Sequence, residues 1–345
     1  MLPAPLAVDV RRGAIAGLGT LLADRRIATE GRVAVVAGPG EHGDRVAARL
    51  DICEAELFRV ADATVDSAVG LGKRLRAGSY EAVAGIGGGK TIDVTKFAAH
   101  MAGIPMVSVA TNLSHDGIAS PVSSLAHESG TSSYGVAPPV AVMVDLDSVQ
   151  AAPERLVRAG IGDVVSNLSA IADWELAAAD TGEPVDGLAV TLARTAAQAV
   201  LHQPGTIASD EFLTVLAEAL ILSGMAMTVA GSSRPCSGGD HEILHAIDDL
   251  YPGAGTHGEL AGLGALFCAF LRDDPSQAAP LADCLARHGL PRVPAELGLS
   301  IAEFTKAVMC APGTRPGRYT ILERLALTEA EAGERVEGYA RSVTG

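Results

Sequence analysis

Histidines and a carboxylate in the second half of the chain are the residues best suited to bind a metal ion. The stretch DHEILH, residues 240–245, places His241 and His245 four positions apart on one face of a helix. His257 opens another apolar segment twelve residues later, and Asp163 precedes an apolar helical stretch. Because imidazole nitrogens and carboxylate oxygens bind divalent cations, this set predicts a cation site.

The same residues also have plainer interpretations, which the sequence leaves open. One of His241 and His245 would then be a core histidine with satisfied hydrogen bonds, and Asp163 would only cap a helix. Residues 241–245 also spell HEILH, which matches the HExxH motif of zinc proteases. We disfavour a protease, because no further ligand motif of that class is evident and the first half of the chain is typical of a nucleotide-binding domain.

A run of three glycines indicates a nucleotide phosphate. Gly87, Gly88 and Gly89 stand where a predicted strand ends and a helix begins, and KTID follows at 90–93. Glycines let backbone amides approach a ligand closely, and a helix N-terminus carries partial positive charge, so together they favour a pyrophosphate. The spacing matches neither GxGxxG nor a Walker A loop. A simple tight turn therefore stays open, with Asp93 only complementing the helix dipole.

A second polar turn follows the next predicted strand, in the sequence TNLSHDG at 111–117. The carboxyl ends of parallel strands meet at one edge of a sheet, and ligands of open α/β sheets bind at that edge. Two polar turns there predict a binding site. The structural alternative is that Ser114 or Asp116 caps a helix beginning near Gly117.

Short β-branched runs alternate with helical spacing in the first half of the chain. The sequence predicts a strand and glycine turn over 32–40, a second over 80–89, a helix over 90–101, and strands over 104–110 and 140–145. Strand, helix and strand at this pitch form a βαβ unit, which requires a parallel sheet covered on both faces. The polar segment 123–135 is expected to be a lid or a β-hairpin.

The pattern becomes helical after Pro153. Long Ala/Leu-rich segments occupy 163–179, 187–200, 210–230 and 257–271. We therefore expect two domains: a Rossmann-like α/β nucleotide-binding domain over 1–150 and an all-α metal- and substrate-binding domain over 151–345.

Composition excludes several classes of partner. The 41 acidic residues outnumber the 26 basic ones, giving a net charge of −15. This charge opposes binding to nucleic acid or anionic membranes, and no Lys/Arg run compensates for it. We expect neither partner.

The cysteines and the apolar runs predict a cytoplasmic protein. The five cysteines contain no CxxC pair, which argues against a disulfide framework or thiolate zinc site; they are Cys53, Cys236, Cys268, Cys284 and Cys310. The N-terminus lacks the pattern of a signal peptide. The longest apolar run considered, around 260–271, is too short for a membrane span.

Several stretches together resemble the sn-glycerol-1-phosphate dehydrogenases, within the group of iron-type alcohol dehydrogenases, glycerol dehydrogenases and dehydroquinate synthases. They are GGGKTID at 87–93, SHDGIASP at 114–121, GIGD at 160–163, SGGDHEILHA at 237–246, HGE at 257–259 and RPGRYTILE at 315–323. SHDGIASP and RPGRYTILE are specific within the group, whereas HGE is common to all of it. The resemblance spans nearly the whole chain and implies a dehydroquinate synthase-like fold.

The resemblance also implies roles for individual residues. Asp163, His241 and His257 would be the metal ligands, usually for zinc in this family. NAD or NADP would bind at Gly87, Gly88, Gly89, Lys90, Thr91, Asp93, Thr111, Asn112, Leu113, Ser114 and Ser120. Asp116 and His245 would contact substrate as catalytic residues. Members of the family typically reduce dihydroxyacetone phosphate to sn-glycerol 1-phosphate with NADH or NADPH.

Two departures from the family pattern bear on the substrate. Relatives often carry lysine where this chain has Asn167, and they tend to read SGxEH where it has Asp240 before His241. If that lysine holds the substrate phosphate, its loss weakens the case for a phosphorylated substrate. A reductase of another small hydroxy-ketone therefore stays an alternative to a triose phosphate enzyme.

Other readings also stay open. A dehydroquinate synthase-like cyclase would share the metal histidines, and a catalytically silent relative would bind nucleotide and metal as a sensor. One Asp and two His do not discriminate zinc from iron, nickel or manganese. The apolar-rich helical half is compatible with a dimer or a larger ring, and we expect a homo-oligomer.

Overall fold

The computed structural model describes residues 4–29, 31–38, 55–128 and 130–344. The strands among these residues are β1 (Ala7–Arg11), β2 (Val33–Ala37), β3 (Ala55–Arg59), β4 (Ala82–Gly87), β5 (Met106–Ala110), β6 (Val122–His127), β7 (Gly130–Gly135) and β8 (Ala141–Asp145). Six of them form one parallel sheet in the order β1-β8-β5-β4-β2-β3. The parallel sheet expected from the βαβ pattern is confirmed.

The helices are α1 (Leu18–Leu22), α2 (Val65–Ala77), α3 (Gly89–Ala102), α4 (Leu146–Ala151), α5 (Glu154–Thr181), α6 (Gly187–His202), α7 (Asp210–Ala230), α8 (Gly239–Leu250), α9 (His257–Leu271), α10 (Pro275–Arg287), α11 (Ile301–Thr314), α12 (Ile321–Leu325) and α13 (Glu329–Thr344). After β8, the described residues form helices and no further strand. This agrees with an α/β half followed by a helical half, while a domain boundary at residue 150 stays a prediction.

Apolar residues cover both faces of the sheet. Val35 packs in a cluster with Leu18 of α1, whereas its neighbour Val36 belongs to a cluster with Leu71 of α2 and Ile92 of α3. Successive side chains of a strand point to opposite faces, so a strand buried on both sides reads as a continuous apolar run. This is why β2, β4, β5 and β8 could be recognised from sequence.

The two edge strands were harder to recognise. β1 and β3 lie at opposite edges of the sheet and are only partly buried. Their polar residues, such as Asp9 and Glu56, interrupt the apolar runs that mark the central strands. Neither strand was therefore predicted from the sequence.

The segment over 123–135 forms a hairpin, one of the two structures expected for it. β6 and β7 pair antiparallel, with Val122 opposite Gly135. The turn predicted over 38–40 lies outside the described residues except for Gly38, and Cys53 lies outside them as well.

The expected helix start at Asp163 was wrong. Helix α5 begins nine residues earlier, at Glu154, so Asp163 lies inside the helix and cannot be its N-cap. Gly160 and Gly162, just before Asp163, also lie inside α5, where the helix contacts other backbone segments. Close packing, rather than a turn, accounts for these glycines.

Helix α7 corrects the expectation about apolar length. By length and composition alone this helix could cross a membrane, although 61% of its most apolar window is buried inside the fold. It packs against α6 and contributes Leu216 and Leu220 to the main core. A core helix passes the same length test, so this feature is weak evidence for a membrane span.

Candidate metal centre and nucleotide cleft

Three helices of the second half bring the predicted metal ligands together. Asp163 lies inside α5, His241 in the first turn of α8, and His257 at the first position of α9. Asp163 Oδ1 is 3.4 Å from His257 Nε2 and 3.9 Å from His241 Nε2. One ligand atom from each residue lies within 4.8 Å of the other two. A carboxylate and two imidazoles at this spacing can hold one divalent cation.

Two glycines allow the helices to approach closely enough for this arrangement. A Cβ added to Gly258 would lie 1.6 Å from the carbonyl oxygen of Ala159, and one added to Gly162 would lie 2.1 Å from the carbonyl oxygen of Gly258. No side chain fits at either position. The start of α9 therefore rests on the backbone of α5, which places His257 beside Asp163.

Neighbouring polar groups orient two of the ligands. The backbone N–H of Asp116 donates to Asp163 Oδ2 at 2.8 Å, so the other oxygen faces the histidines. The Asp240 carboxylate contacts His241 Nδ1, which leaves Nε2 of that ring towards Asp163. Carboxylates bonded to the outer nitrogen of a ligand histidine fix its tautomer and orientation. The aspartate in place of the family glutamate at 240 thus performs this role here.

The buried charges of the centre shift one another's pKa values. Burial alone would raise the pKa of Asp163, but hydrogen bonding and charge from His257 hold it below its ordinary value. Burial likewise acts to lower the pKa of His257, and the Asp163 carboxylate outweighs this and raises it. The pKa of Asp116 lies well above its ordinary value because of burial and the adjacent Asp163. The centre therefore presents its strongest negative charge at Asp163.

His245 does not join the three-residue cluster. Its ring centroid is 6.4 Å from that of His241, and its Nε2 accepts a hydrogen bond from Arg315 Nη2 at 2.9 Å. Burial, together with the Arg315 charge, lowers the pKa of His245 well below its ordinary value. This imidazole is therefore neutral and lines the cleft, while its contact with substrate stays a prediction.

Glu242 faces away from the cleft, which removes the protease interpretation. Its buried carboxyl accepts from Thr320 Oγ1 at 3.1 Å, and burial, followed by repulsion from Glu323, raises its pKa to about 9. It is absent from the residues that line the cleft around His241. The HExxH letters therefore do not place a carboxylate base beside the candidate cation.

The glycine turn lies at the carboxyl edge of the sheet, as predicted. β4 ends at Gly87, α3 begins at Gly89, and Gly88 occupies the N-cap position without a side-chain cap. A Cβ on Gly88 would lie 2.2 Å from Asn112 Nδ2, and one on Gly89 would lie 2.0 Å from His115 Nε2. A side chain at either position would therefore displace Asn112 or His115. The uncapped amides remain available to a phosphate.

The second polar turn lies beside the first because β5 pairs with β4. The backbone N–H of Thr111 donates to the Gly87 carbonyl at 3.0 Å, and the Asn112 side chain accepts from the Ser114 amide. Leu113 is fully buried, and its carbonyl oxygen would lie 2.0 Å from a Cβ on Gly160. The turn therefore joins the nucleotide edge to helix α5.

His115 links the glycine turn to the metal centre, a role the sequence did not reveal. Its ring lies against Gly89, and its centroid is 5.6 Å from that of His257. Its Nδ1 accepts from the Gly117 amide at 3.0 Å, so His115, and neither Ser114 nor Asp116, caps the short 3-10 turn over Asp116–Ile118. Only its place in the polar stretch 111–117 signalled it.

Lys96 was also missed by sequence reasoning. Its fully buried ammonium donates to the carbonyl oxygens of Gly117 at 2.7 Å and Ser120 at 3.1 Å, and it lies 3.2 Å from Asp93 Oδ1. It therefore fastens the loop that carries Asp116 and Ser120 to helix α3. Asp93, expected at the cofactor, is the partner of this lysine within the fold.

One cleft of about 400 Å³ connects the two predicted sites. Seven predicted site residues line it: Lys90, Asp93, Asp116, Ser120, His241, His245 and His257. The hairpin contributes Ser124 and Ser133 to one wall. The other predicted site residues lie outside that lining: Asp163 inside α5, and Gly87, Gly88, Gly89, Thr91, Thr111, Asn112, Leu113 and Ser114 around the ends of β4 and β5 and the start of α3. The cleft is thus bounded by the α/β half, the hairpin and the helical half.

Comparison with known proteins gives a consistent relationship over the whole chain. Residues 9–153 match the family model described as iron-containing alcohol dehydrogenase. The chain is 38% identical to the glycerol-1-phosphate dehydrogenase (NAD(P)+) of Hyperthermus butylicus over 340 residues, which cover 95% of this chain and 97% of that protein. The corresponding enzyme of Methanothermobacter thermautotrophicus is 36% identical over 337 residues and covers 96% of both chains.

A solved structure extends the comparison to the fold. Glycerol dehydrogenase from Schizosaccharomyces pombe matches with a TM-score of 0.77 at 21% identity, covering 100% of this chain and 91% of that one. At this identity the match bears on architecture alone. The α/β half followed by a helical half is therefore a shared fold.

Proposed function

The chain belongs to the glycerol-1-phosphate dehydrogenase family, and from that premise we propose that it reduces dihydroxyacetone phosphate to sn-glycerol 1-phosphate, reversibly, with NADH or NADPH. The observation that carries the proposal is the convergence of Asp163, His241 and His257 beside the glycine turn. The nucleotide and the cation would meet the substrate in the same cleft.

Asp163, His241 and His257 would hold one divalent cation, and the donor set fits it. The Asp116 amide and the Asp240 carboxylate already orient two of the ligands. Zinc suits a site of one carboxylate and two imidazoles, and iron or nickel are also compatible with it. When bound, the cation would polarise the substrate carbonyl.

Residues at the two strand ends would bind the nucleotide. The uncapped amides at Gly88 and Gly89 face a pyrophosphate position at the start of α3, and Lys90 adds a positive charge at the cleft. Thr91, Asp93, Thr111, Asn112, Leu113, Ser114 and Ser120 would complete this pocket. The nicotinamide would supply the hydride.

Asp116 and His245 would act on the substrate itself. His245 is neutral, and its Nε2 already accepts from Arg315, so its proton lies on Nδ1. It would orient the substrate hydroxyl or relay a proton. Asp116 also lines the cleft, beside Asp163, where it would orient the substrate or the nicotinamide ribose.

The assay that tests this proposal follows nicotinamide absorbance in the zinc-loaded protein. We expect oxidation of NADH or NADPH with dihydroxyacetone phosphate, and the reverse reaction with sn-glycerol 1-phosphate. Net consumption of the reduced nucleotide distinguishes a dehydrogenase from a cyclase. Absence of any absorbance change with either nucleotide would contradict the proposal.

A reductase of an unphosphorylated hydroxy-ketone is the second candidate, favoured by Asn167. This side chain donates to Ser223 Oγ at 2.9 Å and to the Ala193 carbonyl at 3.4 Å. A preference for dihydroxyacetone over its phosphate in the same assay would support this candidate.

The proposal also covers the location, the partners, the oligomeric state and the domains of the enzyme. The net charge of −15 opposes binding to nucleic acid and anionic membranes, so the proposal includes neither partner, and it places the enzyme in the cytoplasm. We propose a homo-oligomer, with residues 1–150 as the dinucleotide-binding domain and 151–345 as the metal- and substrate-binding domain.

A further inference from the structure

Two neighbouring arginines without carboxylate partners lie near the helical end of the cleft, and one of them, Arg315, lines it. Arg315 and Arg318 follow helix α11, and among the described residues neither forms an ion pair. The Arg315 Nη1 and the Arg318 Nη2 both donate to Ser233 Oγ, at 3.4 and 3.0 Å. Arg318 also donates to the carbonyl oxygen of Ser237. We call Ser233, Ser237, Arg315 and Arg318 the arginine cluster.

A third arginine, next to this cluster, is paired with a carboxylate, which is the usual arrangement for a buried guanidinium. Arg234 is almost fully buried, and its guanidinium is paired with the Glu183 carboxylate. In a chain with 41 acidic and 26 basic residues, carboxylate partners are plentiful. Two adjacent guanidinium groups that lack one therefore create a local excess of positive charge.

Because the two guanidinium groups are partly buried, their excess positive charge is unfavourable unless an anion binds beside them. Burial, together with the neighbouring Arg315 and Arg234, lowers the pKa of Arg318 to about 10. Burial also lowers the pKa of Arg315. A bound anion would offset this repulsion, because charges in a half-buried site are poorly screened by water.

The cluster also contains polar atoms with no partner. Ser237 is 4% exposed, and its Oγ makes no hydrogen bond in the described structure. The Arg315 Nε is likewise buried and without an acceptor. Ser233, Ser237 and Arg315 all line the cleft that contains the candidate metal ligands. Buried donors without acceptors at a cleft wall are expected where a ligand supplies the acceptors.

We propose that the arginine cluster binds the phosphate group of the substrate. The proposal rests on the function proposed above and specifies where its triose phosphate is held. Guanidinium and hydroxyl donors match the oxygens of a phosphate, which accept several charge-assisted hydrogen bonds at once.

The position of the cluster relative to the metal ligands fits a three-carbon substrate. Arg315 is bonded to His245, and His245 lies one helical turn from His241. A single imidazole therefore separates the phosphate donors from the candidate cation. A triose phosphate bound in this way would place its carbonyl at the cation and its phosphate at Arg315.

The cluster also accounts for the missing lysine at position 167. Asn167 is buried between Ser223 and Ala193, and it is absent from the cleft lining. The phosphate would be held instead by residues some 150 positions further along the chain, at Arg315 and Arg318. A phosphorylated substrate thus remains compatible with asparagine at 167.

The test compares two substrates that differ only in the phosphate. In Arg315→Gln and Arg318→Gln, we expect the ratio of kcat/KM for dihydroxyacetone phosphate to that for dihydroxyacetone to fall about 10- to 100-fold, the factor for losing hydrogen bonds to a charged group. The ratio cancels general losses of folding or hydride transfer. Arg315→Lys should restore part of the ratio, because charge returns without the planar donor pair. Arg324→Gln, an exposed arginine of the same segment, is the matched control.

A second measurement requires no substitution in the cluster. Inorganic phosphate should inhibit reduction of dihydroxyacetone by the wild-type enzyme competitively, and this inhibition should weaken at least 10-fold in Arg315→Gln. An unchanged substrate ratio in both glutamine variants, or equal phosphate inhibition, would overturn the subsite while leaving the dehydrogenase intact. Failure of the wild-type enzyme to use dihydroxyacetone phosphate at all would instead overturn the proposed function.

Discussion

Each oxygen of Asp163 has a separate task. Oδ2 accepts from the Asp116 amide, while Oδ1 lies 3.4 Å from His257 and 3.9 Å from His241. Asp240 in turn orients His241. Contacts within the chain therefore orient two of the three donor groups, as the supporting residues of a metal site do.

Removal of one ligand tests the residue-scale assignment. We expect His257→Ala to lose the bound metal and to reduce turnover to background, because two remaining ligands cannot retain the ion. Nucleotide affinity should change little, since the glycine turn is built from α3 and β4. Metal content by mass spectrometry, turnover and nucleotide titration measure the three effects.

His202→Ala is the control for this experiment, because His202 is exposed at the end of α6. It should keep full metal content. Activity in His257→Ala that survives chelation would refute the assignment of His257 as a ligand.

At the scale of elements, the centre depends on how closely helices approach. α9 begins directly against α5, with Gly258 over Ala159 and Gly162 over Gly258. The HGE stretch thus combines three tasks: His257 is the candidate ligand, Gly258 permits the contact, and the Glu259 side chain accepts from the Thr256 amide to cap α9. If α9 moved away from α5 by the width of a side chain, His257 would separate from Asp163.

Substitution at this contact should disturb the geometry of the metal centre without removing any ligand. We expect Gly258→Ala to destabilise the fold by about 1–3 kcal/mol, the usual cost of overpacking, and to weaken metal binding by displacing His257. Urea unfolding and metal titration provide the two measurements. Gly70→Ala is the matched control, because Gly70 lies within α2 with open space around its Cβ position.

The control should be neutral or stabilising, since alanine favours a helix more than glycine does. Wild-type metal affinity in Gly258→Ala would show that the helix contact does not position His257.

At the scale of the whole molecule, the candidate cation would join helices that are far apart in sequence. Its ligands belong to α5, α8 and α9, while the cleft wall opposite is formed by α3, the loop after β5 and the hairpin. His115 of that wall lies beside His257 on the metal side, and Lys96 holds the wall together by fastening the loop after β5 to α3. The free energy of cation binding would therefore stabilise the folded arrangement of the entire helical half.

Chelation should consequently lower the stability of the whole molecule. We expect EDTA treatment to lower the free energy of unfolding by about 3 kcal/mol relative to protein held at about 100 times the Kd for the ion. Thermal denaturation with and without EDTA measures the effect. His257→Ala should show no such shift, and an equal shift in both proteins would place the stabilising ion elsewhere.

The sequence by itself determined the central strands, the long helices α3, α6, α7 and α9, and the chemistry of the candidate ligands. Continuous apolar runs marked β2, β4, β5 and β8, and helical spacing gave α7 and α9 at their observed bounds. These signals are local, because periodicity and glycine turns depend on neighbours in the chain. The edge strands β1 and β3 lacked a continuous apolar run and were missed.

Tertiary structure alone decided which distant residues meet. Asp163 and His257 are almost a hundred positions apart, Arg315 reaches His245 across 70 positions, and Lys96 bonds Gly117, 21 residues later in the chain. No local pattern encodes such contacts, because they depend on the close packing of separate helices. The same packing placed Asp163, a possible helix cap by sequence, inside α5, and it brought Arg315, which has no carboxylate partner among the described residues, to the wall of the cleft.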